Sequence, residues 1–236
     1  MDDFSAFLSA IPEIEKRLDY IFSDKQILTQ AFVHRSFPNE SGNPSLECNE
    51  RLEFLGDAVL DLYVSNFLFS HFPNADEGVL SKQKAHLICK KHCAKLMDQL
   101  GLVQYLLLAK GQKDLKGKAK ISLSSDLFEA IVGAIFVDGG CPAAEKFLTF
   151  HFSEDFQAIT ESPPQNAKAE LQEYLAKRGS SPPIYTTECI EGPPHCCCFT
   201  ISVMVEGKEY GSASGSSKRE AEEKAAKQAL QKLEKE

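Results

Sequence analysis

Acidic residues recur at helical spacing in one stretch of the chain. Glu50, Glu53, Asp57 and Asp61 follow i, i+3, i+7 and i+11, which on a helix stacks four carboxylates along one narrow stripe. Leu52, Leu55, Val59, Leu62 and Phe67 fall away from that stripe and suit burial. Like charges at such spacing destabilise an isolated helix by a few tenths of a kcal/mol per pair, and a bound cation removes that cost. Hard divalent cations prefer oxygen ligands. An ordinary solvated acidic face is the competing account of the same residues.

A second acidic pair supplies what the stripe lacks. Asp126 and Glu129, at i and i+3, share a face on a segment whose Ile131, Val132, Ile135 and Phe136 are apolar. Two such helices packed together can gather Glu53, Asp57, Asp126 and Glu129 into one pocket. Four unpaired carboxylates there repel strongly and persist as anions only around cations. An all-oxygen donor set without histidine suits Mg2+ or Mn2+, and metal-assisted displacement at a phosphate is the chemistry such sites support best. Gly56, inside the first stretch, costs about 1 kcal/mol relative to alanine in a helix, which points to close approach of another backbone.

The elements that must position these residues read as follows. Residues 4–32 predict two helices broken near Phe22-Ser23-Asp24, with Ser23 or Asp24 capping the second. His34-Arg35-Ser36 opens a loop rich in Pro, Asn, Ser and Gly. His34 is either catalytic or, as is commoner for a lone histidine at a helix end, a capping or packing residue. The acidic helix runs to about residue 69, and a single basic helix is expected over 77–100, carrying Lys82, Lys84, Lys90, Lys91 and Lys95. Lys110, Lys113, Lys116, Lys118 and Lys120 mark a mobile loop, suited either to phosphates or simply to solvent. Ser124 or Ser125 is expected to cap a helix that starts at Asp126 and stops at Gly139-Gly140. A last helix of this part covers about 145–156.

The pattern changes after Ser162-Pro163-Pro164, where a proline pair stops helices. A helix over 167–178, strands over 184–190, 196–205 and 208–213, a turn at Glu206-Gly207 and a final helix to about residue 233 give the order α-β-β-β-α. The expected organisation is therefore an all-α domain over 1–160, a linker over 161–166 and an α+β domain over 167–236. Lys218 and Arg219 fall in the first turn of the last helix, where cations oppose the helix macrodipole and a docked phosphate reverses that penalty. Solvated charge is the alternative there, and Glu220, Glu222 and Glu223 favour it.

The net charge of −8 gives no global attraction for a polyanion, so any such contact needs local basic patches or bound metal. Met1-Asp2-Asp3 is acidic where a secretory signal starts positive, and no apolar run is long enough to span a membrane. A cytoplasmic location is expected, with the eight cysteines as thiols and Cys196-Cys197-Cys198 as small apolar filler. Cys89 and Cys93, with His92 between them, offer a zinc site only if a second ligand pair exists, and none follows at zinc spacing.

The run Asn49-Glu50-Arg51-Leu52-Glu53-Phe54-Leu55-Gly56-Asp57-Ala58-Val59-Leu60 resembles the signature of the ribonuclease III family. Asp126-Leu127-Phe128-Glu129-Ala130 resembles its second catalytic motif and Glu77-Gly78-Val79-Leu80-Ser81 a third stretch. Residues 166–234 resemble a double-stranded-RNA-binding domain. The resemblance implies a Mg2+-dependent endonuclease, with Mn2+ as a substitute, that cuts double-stranded RNA to 5′-phosphate and 3′-hydroxyl ends with short 3′ overhangs. It also implies a homodimer acting on ribosomal RNA precursors and structured messages. Carried over by position, Glu53, Asp57, Asp126 and Glu129 are the metal ligands, with Asp57 and Glu129 the principal catalytic pair. Glu50 and Glu77 are accessory acids, and Phe54 packs across the dimer. Gln172, Glu173, His195, Lys218 and Arg219 match the RNA-contacting regions. The sequence departs at Val33, where threonine is usual, and at Ala213 and Ser216, where glycine and a basic residue are common. A non-catalytic RNA-binding protein on the same scaffold is the alternative, disfavoured by the complete carboxylate set. A small-molecule phosphohydrolase is disfavoured by the second domain.

Overall fold

The computed structural model describes residues 3–42, 45–112, 116–161, 166–191 and 197–234. It divides into two units, Met1–Pro73 with Leu80–Pro163 and Asn74–Val79 with Pro164–Glu236.

The first unit is helical: α1 (Asp3–Leu18), α2 (Lys25–Ala31), α3 (Phe37–Glu40), α4 (Glu50–His71), α5 (Glu77–Leu87, whose first residues fall in the second unit), α6 (Lys90–Leu100), α7 (Lys118–His151) and α8 (Ser153–Glu161). Asp24 caps α2 as expected, its side chain accepting from the Gln26 amide at 2.8 Å. The link between α1 and α2 is tied to α7 by Asp138. Its carboxylate accepts from Tyr20 Oη (2.7 Å) and from the amides of Ser23 and Asp24 (2.9 Å each). Val33 is fully buried and pairs with Leu107, so an apolar side chain at that position serves the core.

Three expectations need correction. The helix over 77–100 is two helices, because the chain turns extended at Cys89 (ψ 148°) and restarts at Lys90. The helix carrying Asp126 begins eight residues earlier, at Lys118, so the lysine-rich stretch is partly helical (residues 113–115 lie outside the described residues). Ser124 and Ser125 are then buried within that helix and not caps. Gly140 does break it, with φ 71° and ψ −169°, and a further helical segment runs on to His151. By length and composition α7 is apolar enough to cross a membrane. However, Leu127, Phe128, Ala130, Ile131, Val132, Ala134 and Ile135 are wholly buried and α7 packs against α2, α4 and α6, the position of a core helix.

The core line of α4 is Leu52, Gly56, Leu60, Val64 and Leu68, an i+4 ridge laid against α7. Leu62, expected inside, is exposed. Gly56 and Gly133 meet where the two helices cross. A Cβ at Gly56 would lie 1.8 Å from the Glu129 carbonyl oxygen, and one at Gly133 would lie 2.1 Å from that of Leu52. Close backbone approach is thus the reason for Gly56, and the approach is made within the chain.

The second unit contains α9 (Ala167–Lys177), β1 (Ile184–Glu191), β2 (Cys198–Val205), β3 (Lys208–Gly215) and α10 (Lys218–Leu233). The sheet is antiparallel in the order β1-β2-β3, and the β2–β3 turn uses Glu206 (φ 50°) and Gly207 (φ 81°) as a two-residue hairpin loop. Ala167, Leu171 and Leu175 of α9 and Ala225, Ala226, Ala229, Leu230 and Leu233 of α10 form the core with Val203 and Val205. Tyr174 Oη donates to the Leu233 carbonyl at 2.7 Å and Lys168 pairs with Glu222 at 2.6 Å, which fixes the two helices side by side. Cys198 is exposed and Cys197 half-buried, so the filler role expected of that run does not hold for Cys198, and Cys196 lies outside the described residues.

Candidate active site

The glycine crossing sets the site. Glu53 stands one turn before Gly56 on α4, and Asp126 and Glu129 stand two turns and one turn before Gly133 on α7. With so little separation between the helices, one ligand oxygen from each of Glu53, Asp126 and Glu129 lies within 4.8 Å of the others. All three residues are half-buried. Asp57, the fourth expected ligand, is exposed one turn further along α4 and falls outside this group, although its charge is felt at Glu129.

The electrostatics are those of crowded anions. Burial pushes the Glu129 carboxyl up to about 7, aided by the charges of Asp57, Asp126 and Glu53. Ser125 opposes this by donating from Oγ to Glu129 Oε1 at 3.0 Å. Burial, then the charge of Asp126, raises Glu53 in the same sense. These are groups that a multivalent cation stabilises, and the donors are all oxygen, so the residues fit a hard divalent cation. Among the described residues the only such group contains no cysteine or histidine. The zinc alternative fails on its own residues. Cys93 is buried and, through burial first and the Glu129 charge second, held up to about 12, so it stays a thiol. His92 Nε2 instead lies 3.2 Å from an Asp155 carboxylate oxygen.

The remaining acids of the stripe separate by their partners. Glu50 is exposed, 3.4 Å from Arg35 Nη1, and its charge contributes to raising Glu53. Asp61 pairs with Lys84 at 2.9 Å, which makes it a structural ion pair. Glu77 is the first residue of α5. Near the site lie Lys90, which sequence did not assign to it, and His34, which sequence left open between a catalytic and a packing role. Lys90 Nζ donates to Asp126 Oδ1 at 3.1 Å and to Ser122 Oγ at 3.0 Å. His34 is half-buried and sits within reach of the charges of Glu50 and Asp126. Its Nδ1 accepts from the Ser36 amide at 3.2 Å, and burial, then Arg35, lowers its pKa. Sequence marked Lys90 only as one of several basic residues, because its partner lies 36 positions away.

Phe54 is 82% exposed on α4, and Leu62, eight residues on, is also exposed, leaving an apolar stripe uncovered. In the second unit Gln172 and Glu173 are exposed on α9, and Lys218 and Arg219 are exposed in the first turn of α10. Ser217 caps that turn by accepting from the Glu220 amide, while Glu220 reaches back to the Ser216 amide at 2.8 Å. Ser216 therefore serves the cap at a position where a basic residue is common. His195 lies outside the described residues.

Comparison with known proteins agrees with this geometry. The Ribonuclease-III-like family model matches residues 24–155, and the double-stranded RNA binding motif matches residues 167–233. The chain is 41% identical over 234 residues to Ribonuclease 3 of Protochlamydia amoebophila, covering 99% of this chain and 96% of that protein. It is 39% identical over 232 residues to Ribonuclease 3 of Geobacter metallireducens, covering 98% and 94%. Among solved structures, the nuclease domain of ribonuclease III from Campylobacter jejuni matches with a TM-score of 0.56 at 39% identity, covering 62% of this chain and 99% of that one; it is described as having structural flexibility in a region involved in dimer formation. Similarity that runs through both units, at this identity and over nearly the whole length, establishes that the chain belongs to the ribonuclease III family of double-strand-specific endoribonucleases.

Proposed function

We propose that this endoribonuclease works with Mg2+, or Mn2+ in its place, held by Glu53, Asp126 and Glu129 with Asp57 completing the set. The observation that carries the reading is the convergence of three half-buried carboxylates whose oxygens lie within 4.8 Å of one another. When bound, the cation supplies activation of the attacking water and neutralisation of charge building on the phosphate. Around it, Ser125 fixes one oxygen of Glu129, and the glycine crossing fixes the distance between the two ligand-bearing helices. Asp57 and Glu129 are assigned the principal catalytic roles, and Glu50 and Glu77 accessory ones. The products are 5′-phosphate and 3′-hydroxyl ends with short 3′ overhangs.

In this reading residues 1–160 cut, residues 167–236 hold the duplex, and 161–166 join them. Gln172, Glu173, His195, Lys218 and Arg219 contact the RNA, which such domains read by its A-form shape, 2′-hydroxyls and phosphates. The exposed stripe at Phe54 is covered in a homodimer, in keeping with the dimer-forming region described for the Campylobacter jejuni nuclease domain. The substrates are ribosomal RNA precursors and structured messages, in the cytoplasm. The test is Glu129→Gln, assayed on a long RNA duplex with and without Mg2+. Duplex binding stays within a few-fold of wild type while Mg2+-dependent cleavage is lost; normal cleavage by this variant overturns the assignment.

A further inference from the structure

Helix starts favour anions, yet α6 opens on Lys90 and Lys91 with no acid in its first turn. The fold gives Lys90 an anion from another helix. Its ammonium is held from two points on α7, Asp126 Oδ1 at 3.1 Å and Ser122 Oγ at 3.0 Å, one turn apart. This places a positive charge at the rim of the cluster formed by Glu53, Asp126 and Glu129, where it offsets part of their mutual repulsion. The hold is weak by design of the side chain. An ammonium is a compact, well-hydrated charge on a flexible stem, and this one is 61% exposed, so water can replace its partners easily.

We propose that Lys90 is a resident counter-ion of the active site, which a divalent cation displaces from Asp126. The inference rests on the reading of Glu53, Asp126 and Glu129 as metal ligands. Lys90 is a positioning residue in this scheme. Without metal it keeps Asp126 paired; with metal it competes for the same oxygen and repels the incoming cation. Its removal therefore has two effects of opposite sign. The metal-free protein loses an ion pair, and the metal-binding equilibrium loses a competitor. A residue that merely held Asp126 in place would give the reverse second effect, because its loss would weaken metal binding.

The experiment is a calorimetric titration of the full chain with Mn2+, without RNA and at one fixed, mildly alkaline pH, for wild type, Lys90→Gln, Lys90→Arg and Asp126→Asn. Lys90→Gln is expected to bind Mn2+ about 2- to 5-fold more tightly, the range spanned by loss of one exposed ion pair. Lys90→Arg, which keeps the charge, stays near wild type, and Asp126→Asn loses the binding. In thermal melts Lys90→Gln unfolds below wild type in EDTA, and the gap closes at saturating Mn2+. If Asp126→Asn abolishes binding while Lys90→Gln binds equally or more weakly, the counter-ion inference is overturned and the metal reading stands. If Asp126→Asn binds as well as wild type, the metal reading fails and takes the inference with it.

Discussion

Gly56→Ala perturbs the one contact on which the site geometry depends. An added Cβ would lie 1.8 Å from the Glu129 carbonyl oxygen, 2.7 Å from its carbon and 2.8 Å from the Gly133 nitrogen. Ordinary contact begins near 3.4 Å, so α4 and α7 must part by about 1.6 Å, and the obstruction is backbone, which has no rotamer to change. Alanine gains about 1 kcal/mol of helix propensity over glycine. Overpacking of a close-packed core costs about 1–3 kcal/mol and occasionally more, and here the whole ridge from Leu52 to Leu68 is disturbed. With the cost at the upper end of that range, the expected net loss is about 1–2 kcal/mol, a fall of about 2–8 °C in the melting temperature of a unit this size. Activity falls further than stability. Glu53 moves with α4 away from Asp126 and Glu129, and a misplacement of about 1 Å can cost about 100-fold in rate. The assays are thermal melting and cleavage of a long RNA duplex below the melting temperature. Gly111→Ala is the control, since a Cβ there meets nothing within 4 Å. Wild-type melting and cleavage in Gly56→Ala would refute the argument that this crossing sets the site.

Two further outcomes follow from the same geometry. Without metal, the Glu129 carboxyl has a folded pKa of about 7 against an ordinary 4.5, so its contribution to stability is fully present below about pH 4.5 and is lost as pH rises through about 7. Denaturation midpoints in EDTA should therefore fall with pH for wild type relative to Glu129→Gln, and saturating Mn2+, which favours the ionised carboxylate, should reverse that trend; parallel curves in EDTA contradict the shift. Phe54→Asp places a charge on the exposed stripe of α4 and should move the chain from dimer to monomer in sedimentation, with its melting temperature at monomer concentrations little changed because the side chain is 82% exposed. An unaltered dimer would place the interface elsewhere.

The sequence carried the carboxylate cluster better than the elements that frame it. Carboxylates at i and i+3 on two apolar segments were enough to pair Glu53 with Asp126 and Glu129, because helical periodicity decides which residues share a face. The same periodicity could not rank Asp57, whose distance from the group depends on how α4 is rotated against α7. The start of α7 was misplaced by local propensity. Ser124 and Ser125 look like caps, but tertiary burial overrides that preference, and Ser125 spends its hydroxyl on Glu129. The break at Cys89 left no glycine or proline signal between Glu77 and Leu100 beyond Gly78, so two helices read as one. Gly56 was legible as a close approach, though not as to which backbone approached. Lys90 was illegible as a site residue, since its meaning comes from a contact with α7 and not from its neighbours in sequence.

These details share one face of α7. Ser125, Glu129 and Gly133 are each one turn apart, so the hydroxyl that bonds the Glu129 carboxylate, the carboxylate and the glycine that admits α4 lie in a single row. The atom that a Gly56 Cβ would strike is the carbonyl oxygen of Glu129 itself. No lever arm separates the packing contact from Glu129, so an error in helix separation reaches the carboxylate cluster undiminished. The arrangement also explains why a destabilising cluster of anions is tolerated. Leu127, Phe128, Ile131 and Ile135 are fully buried on the neighbouring faces of α7, and their burial, at about 1.5–3 kcal/mol for each large side chain, outweighs the repulsion among three half-buried carboxylates. The core thus holds the carboxylates close enough to share a cation even before one arrives.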